Sequence, residues 1–106
     1  MDEAQFAERA DAALARIDAA FEESGVDADV EPKEGGILEI EFADGSRMVI
    51  NRHAAAREIW VAARAGGFHF RWDGSAWRDT RDGSELFAAL SRLVSQQSGQ
   101  AVILRP

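Results

Sequence analysis

The chain has 106 residues, 46% hydrophobic and 29% charged, which suits one soluble domain with a modest core. No apolar run reaches about 18 residues, so no membrane-spanning helix is expected, and without cysteine neither a disulfide frame nor a thiolate metal site can form. The net charge of −7 is segregated: residues 1–44 hold 14 acids and 3 bases, residues 45–106 hold 5 acids and 9 bases, which disfavours nucleic acid as a partner and favours cations or a basic protein.

The N-terminal "MDEAQFAERADAALARIDAAF" is acidic, unlike a secretory signal or an Arg-rich transit peptide; with the lack of cysteine it suits a reducing cytosol. Phe6, Ala10, Leu14, Ile17 and Phe21 form the apolar stripe of an amphipathic helix, with Asp2 as N-cap and Ser24–Gly25 as its stop. "VDADVEPKEGG" reads as a polar loop. "ILEIEF" alternates, with Leu38, Ile40 and Phe42 on one face, and "ADGS" turns it into "RMVIN", a β-hairpin.

The next stretch, "HAAAREIWVAARA", is helical by propensity. A helix there would break the sheet that its neighbours need, so a strand is expected. Ile59 and Val61 then face the helices, Trp60 faces the open side, and residues 53–57 connect, keeping at most a helical turn. "FHFRW", the turn "DGSA" and "WRDT" give two more strands, with Trp72 and Trp77 as packing residues. "DGS" at 82–84 offers a turn and Ser84 as N-cap for a helix carrying Leu86, Leu90, Leu93, Val94 and Gln97, which stops at Ser98–Gly99. The apolar tail "AVIL" should pack on the body. This order implies an α+β two-layer sandwich in a single domain, residues 1–106, with both helices on one face of an antiparallel sheet.

"GGILEIEFADGSRMVINR", "REIWVAARAGGFHF", Trp77 and "QQSG" together resemble the bacterial frataxins of the CyaY type. The likeness runs from the acidic first helix to the final apolar strand, and Asn51, Trp60 and His69 fall at positions of that family's sheet face. The resemblance implies two helices on one face of a five- or six-stranded antiparallel sheet. It also implies weak iron binding through an acidic ridge, and docking on the cysteine desulfurase of iron–sulfur cluster assembly as a regulator, iron donor or sensor. Contact with the cluster scaffold protein, and a monomer that can oligomerise with metal, belong to the same expectation.

On a helical wheel Glu8, Asp11, Asp18 and Glu22 share one flank of the first helix, while Arg9 and Arg16 take the other. Asp11, Asp18 and Glu22 form one line, interrupted by Ala15 and Ala19, where richer ridges of the family carry further carboxylates. Like charges at such spacing destabilise a helix by a few tenths of a kcal/mol per pair, which a hard cation would relieve. The candidate metal ligands are Glu8, Asp11, Asp18, Glu22 and Glu23, with Asp27, Asp29 and Glu31 from the loop and Glu34 beside them. Oxygen ligands on an open face predict weak, poorly selective binding of ferrous or ferric iron, with other divalent cations competing. "DADVEP" is not a calcium loop, because Pro32 and Leu38 stand where Gly and a bidentate Glu are needed.

The candidate partner contacts are Asp18, Glu22, Glu39, Glu41, Asn51, Arg52, Trp60 and His69, with Trp60, and Asn51 and Arg52 nearby, supplying the apolar and hydrogen-bonding anchor. His69 alternates with Phe68 and Phe70 and should point away from the core. No "GxSxG", "GxGxxG" or "GxxxxGK" is present, so no catalytic residue is assigned and a non-enzymatic protein is expected. A ferroxidase acting at the carboxylates, or an acidic interaction module indifferent to metal, are the alternatives.

Overall fold

A computed structural model describes all 106 residues. The elements are α1 (Glu3–Ser24), β1 (Ala28–Lys33), β2 (Ile37–Phe42), β3 (Arg47–His53), β4 (Glu58–Ala63), β5 (Gly66–Trp72), β6 (Trp77–Asp79) and α2 (Leu86–Ser98). The six strands form one sheet in sequential order, every neighbour antiparallel. Both helices cover one face, so the α+β sandwich expected from the sequence is the observed fold.

Helix α1 begins with a reciprocal cap. The Asp2 carboxylate accepts from the Gln5 N–H at 2.8 Å, and the Gln5 side chain accepts from the Asp2 N–H at 2.9 Å. It ends at Gly25, whose φ of 72° suits a residue without Cβ. Its buried stripe, Phe6, Ala10, Leu14, Ile17, Ala20 and Phe21, lies on the inward residues Leu38, Ile40, Met48, Ile50, Ile59, Val61 and Phe70. Phe6 meets Trp77 edge-on at 6.0 Å, and Arg9 lies 4.4 Å above the Trp72 ring, docking the start of α1 on β5 and β6.

Within "HAAAREIWVAARA" the chain forms strand β4, with Ile59 and Val61 buried. The Ala-rich lead-in shrinks to a turn in which Arg57 takes a positive φ of 55°. Pairing of β4 with β3 and β5, and burial of two β-branched side chains, outweigh the helical propensity of the alanines.

Three expectations are corrected. "VDADVEPKEGG" is not wholly a loop: Ala28–Lys33 pairs along β2 as an edge strand. Val26, Ala28 and Val30 pack on the core and alternate with Asp27, Asp29 and Glu31, a period of two masked by the density of acids. Pro32 is tolerated because an edge strand has one unpaired side. The N-cap of α2 is Glu85 rather than Ser84: its carboxylate accepts from the Phe87 and Ala88 N–H groups, while the Ser84 N–H bonds Asp82 within the preceding turn. The tail packs as expected but joins no strand. Val102 and Leu104 are buried, and their backbones bond the hydroxyls of Ser95 and Ser91 on α2.

Candidate metal-binding and docking surfaces

Asp11, Asp18 and Glu22 line the seam between α1 and the β1–β2 edge. Asp18 and Glu22 share a groove with Phe21, Val26 and Val30, and Asp11 and Asp18 another with Pro32 and Lys33. Glu8 stands apart, in a shallow depression with Gln5, Arg9 and Ala12. Two candidate ligands on α1 are already engaged by cations. The Asp11 carboxylate lies 3.3 Å from the Arg52 guanidinium. Glu23 sits on the arginine flank, where two hydrogen bonds from Arg16, at 2.8 and 3.2 Å, hold its carboxyl below the usual carboxylate range. The structure thus separates Glu23 from the ridge, and Asp27 follows Gly25 as an exposed residue of the helix–strand link.

The sheet's open face adds a second acidic array. Register sets Asp29 opposite Glu41 and Glu31 opposite Glu39, so four carboxylates face one another in two cross-strand pairs. Only Lys33, 3.2 Å from Glu31, and Arg47, 3.9 Å from Glu41, offset them. Like charges directly opposite on a sheet repel. No three His, Asp or Glu side chains converge on one point: the carboxylates form a spread array.

The next row along the sheet reads Lys33, Ile37, Asn51, Trp60, His69 across five strands. It brings Asn51, Trp60 and His69 together as the sequence suggested. Arg52 is not with them. Adjacent strand residues point to opposite faces, so Arg52 turns to the helix side and reaches Asp11. Placing it beside Trp60 as an anchor is corrected.

Trp60 is half-buried between two imidazoles. His53 lies at 3.8 Å between ring centroids and His69 at 4.5 Å, with interplanar angles of 11° and 9°. The Trp60 Nε1–H donates to Glu58 Oε1 at 2.9 Å; His69 Nδ1 lies 3.5 Å from the same oxygen, and Arg71 donates to Glu58 Oε2 at 2.6 Å. His53 Nδ1 accepts from the Ala56 N–H at 3.2 Å, so its neutral form carries the proton on Nε2.

Residues 1–100 match the frataxin-like domain. The chain belongs to the frataxin-like family. It is 62% identical over 105 residues to the iron–sulfur cluster assembly protein CyaY of Dechloromonas aromatica, covering 99% of this chain and 100% of that one. Identity to the CyaY protein of Cupriavidus metallidurans is 49% over 108 residues, covering 99% and 97%. Among solved structures, the frataxin from Psychromonas ingrahamii superposes with a TM-score of 0.90 at 29% identity, over 100% of both chains.

In this frataxin-like domain the residue that sequence reasoning missed is Glu58, 5% exposed at the start of β4. The available signal was parity: Glu58 shares a face with Trp60, two positions on. Its other partners, His69 and Arg71, come from β5 and emerge only once the register is known.

Proposed function

We propose that this frataxin-like domain acts in iron–sulfur cluster assembly, docking on the cysteine desulfurase as a regulator or donor that holds ferrous or ferric iron weakly. The relatives named as iron–sulfur cluster assembly proteins support the pathway. The observation that carries the finer reading is the pairing of Asp29 with Glu41 and Glu31 with Glu39 on the open face, added to the groove that Asp18 and Glu22 share on the helix side. Folding sets like charges against each other there, and a hard cation or a basic protein surface would relieve that repulsion. Carboxylates of this kind share a cation among few ligands and leave water to complete its shell, so binding is weak and sensitive to salt. Trp60, on the same open face, supplies a large side chain of low conformational freedom, a residue type favoured as an interface anchor.

Two measurements test the reading. Ferrous iron titrated into the labelled protein should broaden resonances of residues 8–41 selectively, and uniform change no larger than that produced by salt would reject the metal role. Calorimetric binding to the desulfurase should weaken in Trp60→Ala and in Asp18→Lys with Glu22→Lys; unchanged affinity in both would reject docking. Stopped-flow iron oxidation faster than that of an acid-matched control would favour a ferroxidase instead.

A further inference from the structure

Three polar or charged side chains are buried in this domain: Glu58, Asp79 and Gln97. Two serve the backbone. Asp79 accepts from the Arg81 and Asp82 N–H groups and shapes the turn before α2. Gln97 accepts from the Arg64 N–H and donates to the Arg47 carbonyl, tying α2 to two turns. Glu58 differs, since its carboxylate partners are side chains of the open face alone: Trp60, His69 and Arg71. The ladder beneath would pair equally well with an apolar residue at this position. A buried carboxylate is costly unless its bonds are made, so its placement calls for a role at that surface.

The geometry points to Glu58 as the positioning residue of the docking surface, fixing the indole of Trp60 with its nitrogen inward and its carbon edge toward the partner. Both faces of the indole are covered by His53 and His69, and Nε1–H is bound to Glu58. A partner therefore meets the ring edge, the positive part of the aromatic quadrupole, on a face that also carries the exposed Arg71 guanidinium. The matching chemistry on the partner is an apolar slot rimmed by carbonyl or carboxylate oxygens. Without Glu58 the indole regains its rotamers, and each encounter must order it again. This inference rests on the desulfurase-docking reading above.

The test combines a readout in the free protein with one in the complex. In the free protein, the Trp60 indole N–H resonance and its exchange with solvent report the Glu58 bond. Calorimetry with the desulfurase reports docking, with Trp60→Ala as the reference. Glu58→Gln keeps an oxygen that can accept from Nε1–H, and it should retain a protected indole and an affinity within about threefold of the parent. Glu58→Ala should expose the indole N–H and raise the dissociation constant on the order of tenfold. Should Trp60→Ala weaken docking while Glu58→Ala exposes the indole and binds normally, the positioning role is overturned and the docking reading stands. Should Trp60→Ala itself bind normally, both are overturned. If Glu58→Ala does not fold, Glu58→Gln decides: a protected indole with parental affinity supports the role, and a protected indole with lost affinity overturns it.

Discussion

Arg52 on β3 and Asp11 on α1, 41 positions apart in sequence, meet at 3.3 Å across the seam between helix and sheet. The guanidinium stem passes over Gly36, where an added Cβ would lie 2.2–2.5 Å from Arg52 side-chain atoms. Arg52 thereby covers one carboxylate of the ridge. Arg52→Ala should release Asp11, make the seam more negative by one charge and cost about 1 kcal/mol or less of stability. Urea denaturation checks the cost. If the ridge takes cations as proposed, calorimetric titration should show affinity rising a few-fold.

A side chain at Gly36 should destabilise the domain. Its φ of 76° already disfavours an L residue, and Arg52 fills the space a Cβ would take. Gly36→Ala should destabilise by roughly 1–2 kcal/mol from the backbone alone, with more if Arg52 cannot swing aside. Combining it with Arg52→Ala should recover the steric part and leave the backbone part. A double-mutant cycle in urea measures that coupling.

Neighbours on β4 should fail in opposite ways. Ile59 is fully buried beneath the helices, and Ile59→Ala should cost about 2–5 kcal/mol with the open face unaltered. Trp60 lies across the sheet from that core, so if the domain docks on the desulfurase as proposed, Trp60→Ala should weaken that binding far more than it lowers the urea midpoint. A midpoint that fell as far for Trp60→Ala as for Ile59→Ala would make the indole a packing residue.

These contrasts show which features one sequence discloses. The stripe of α1, the Asp-Gly hairpin and the faces of Ile59, Trp60 and Val61 follow from local period, because each side chain's direction is fixed by its own strand or helix. Strand β1 is hidden because its alternating Ala28 and Val30, with Val26 just before it, are small and set among acids that read as loop. Arg52 was misplaced by proximity in sequence, although strand parity sets it opposite Asn51. Glu58 shows only its face in the sequence, by parity with Trp60: a buried carboxylate is defined by its partners, and two of the three lie on another strand.

Charge on the ridge should govern encounter more than residence. Asp18 and Glu22 border the same groove, with Glu22 exposed, so Asp18→Lys with Glu22→Lys replaces two negative charges by two positive ones at one place. If the partner surface is basic, the association rate should fall by about tenfold at low salt, and the difference should shrink toward physiological ionic strength. Stopped-flow association at several salt concentrations reads this directly. A change confined to the dissociation rate would contradict steering and place both residues inside the interface.

Acid should erode the stability that Asp73 gives through the β5–β6 turn. The Asp73 carboxylate accepts from the Ser75 and Ala76 N–H groups, each at 2.8 Å, and from Arg78 Nε–H at 2.8 Å, which hold it well below the usual carboxylate range. Asp44 is depressed in the same direction, first by the Ser46 side chain and then by Arg64. A carboxyl with a lowered folded-state pKa binds its proton more readily in the unfolded chain. Its contribution is therefore complete above the unfolded value of about 4 and disappears as pH falls through the folded value. Asp73→Ala should consequently be less stable than the parent at pH 7, and the gap should narrow progressively below about pH 4. Urea midpoints of both proteins from pH 7 to pH 2 measure it. A gap that stayed constant across that range would assign the loss to turn geometry rather than to the charge.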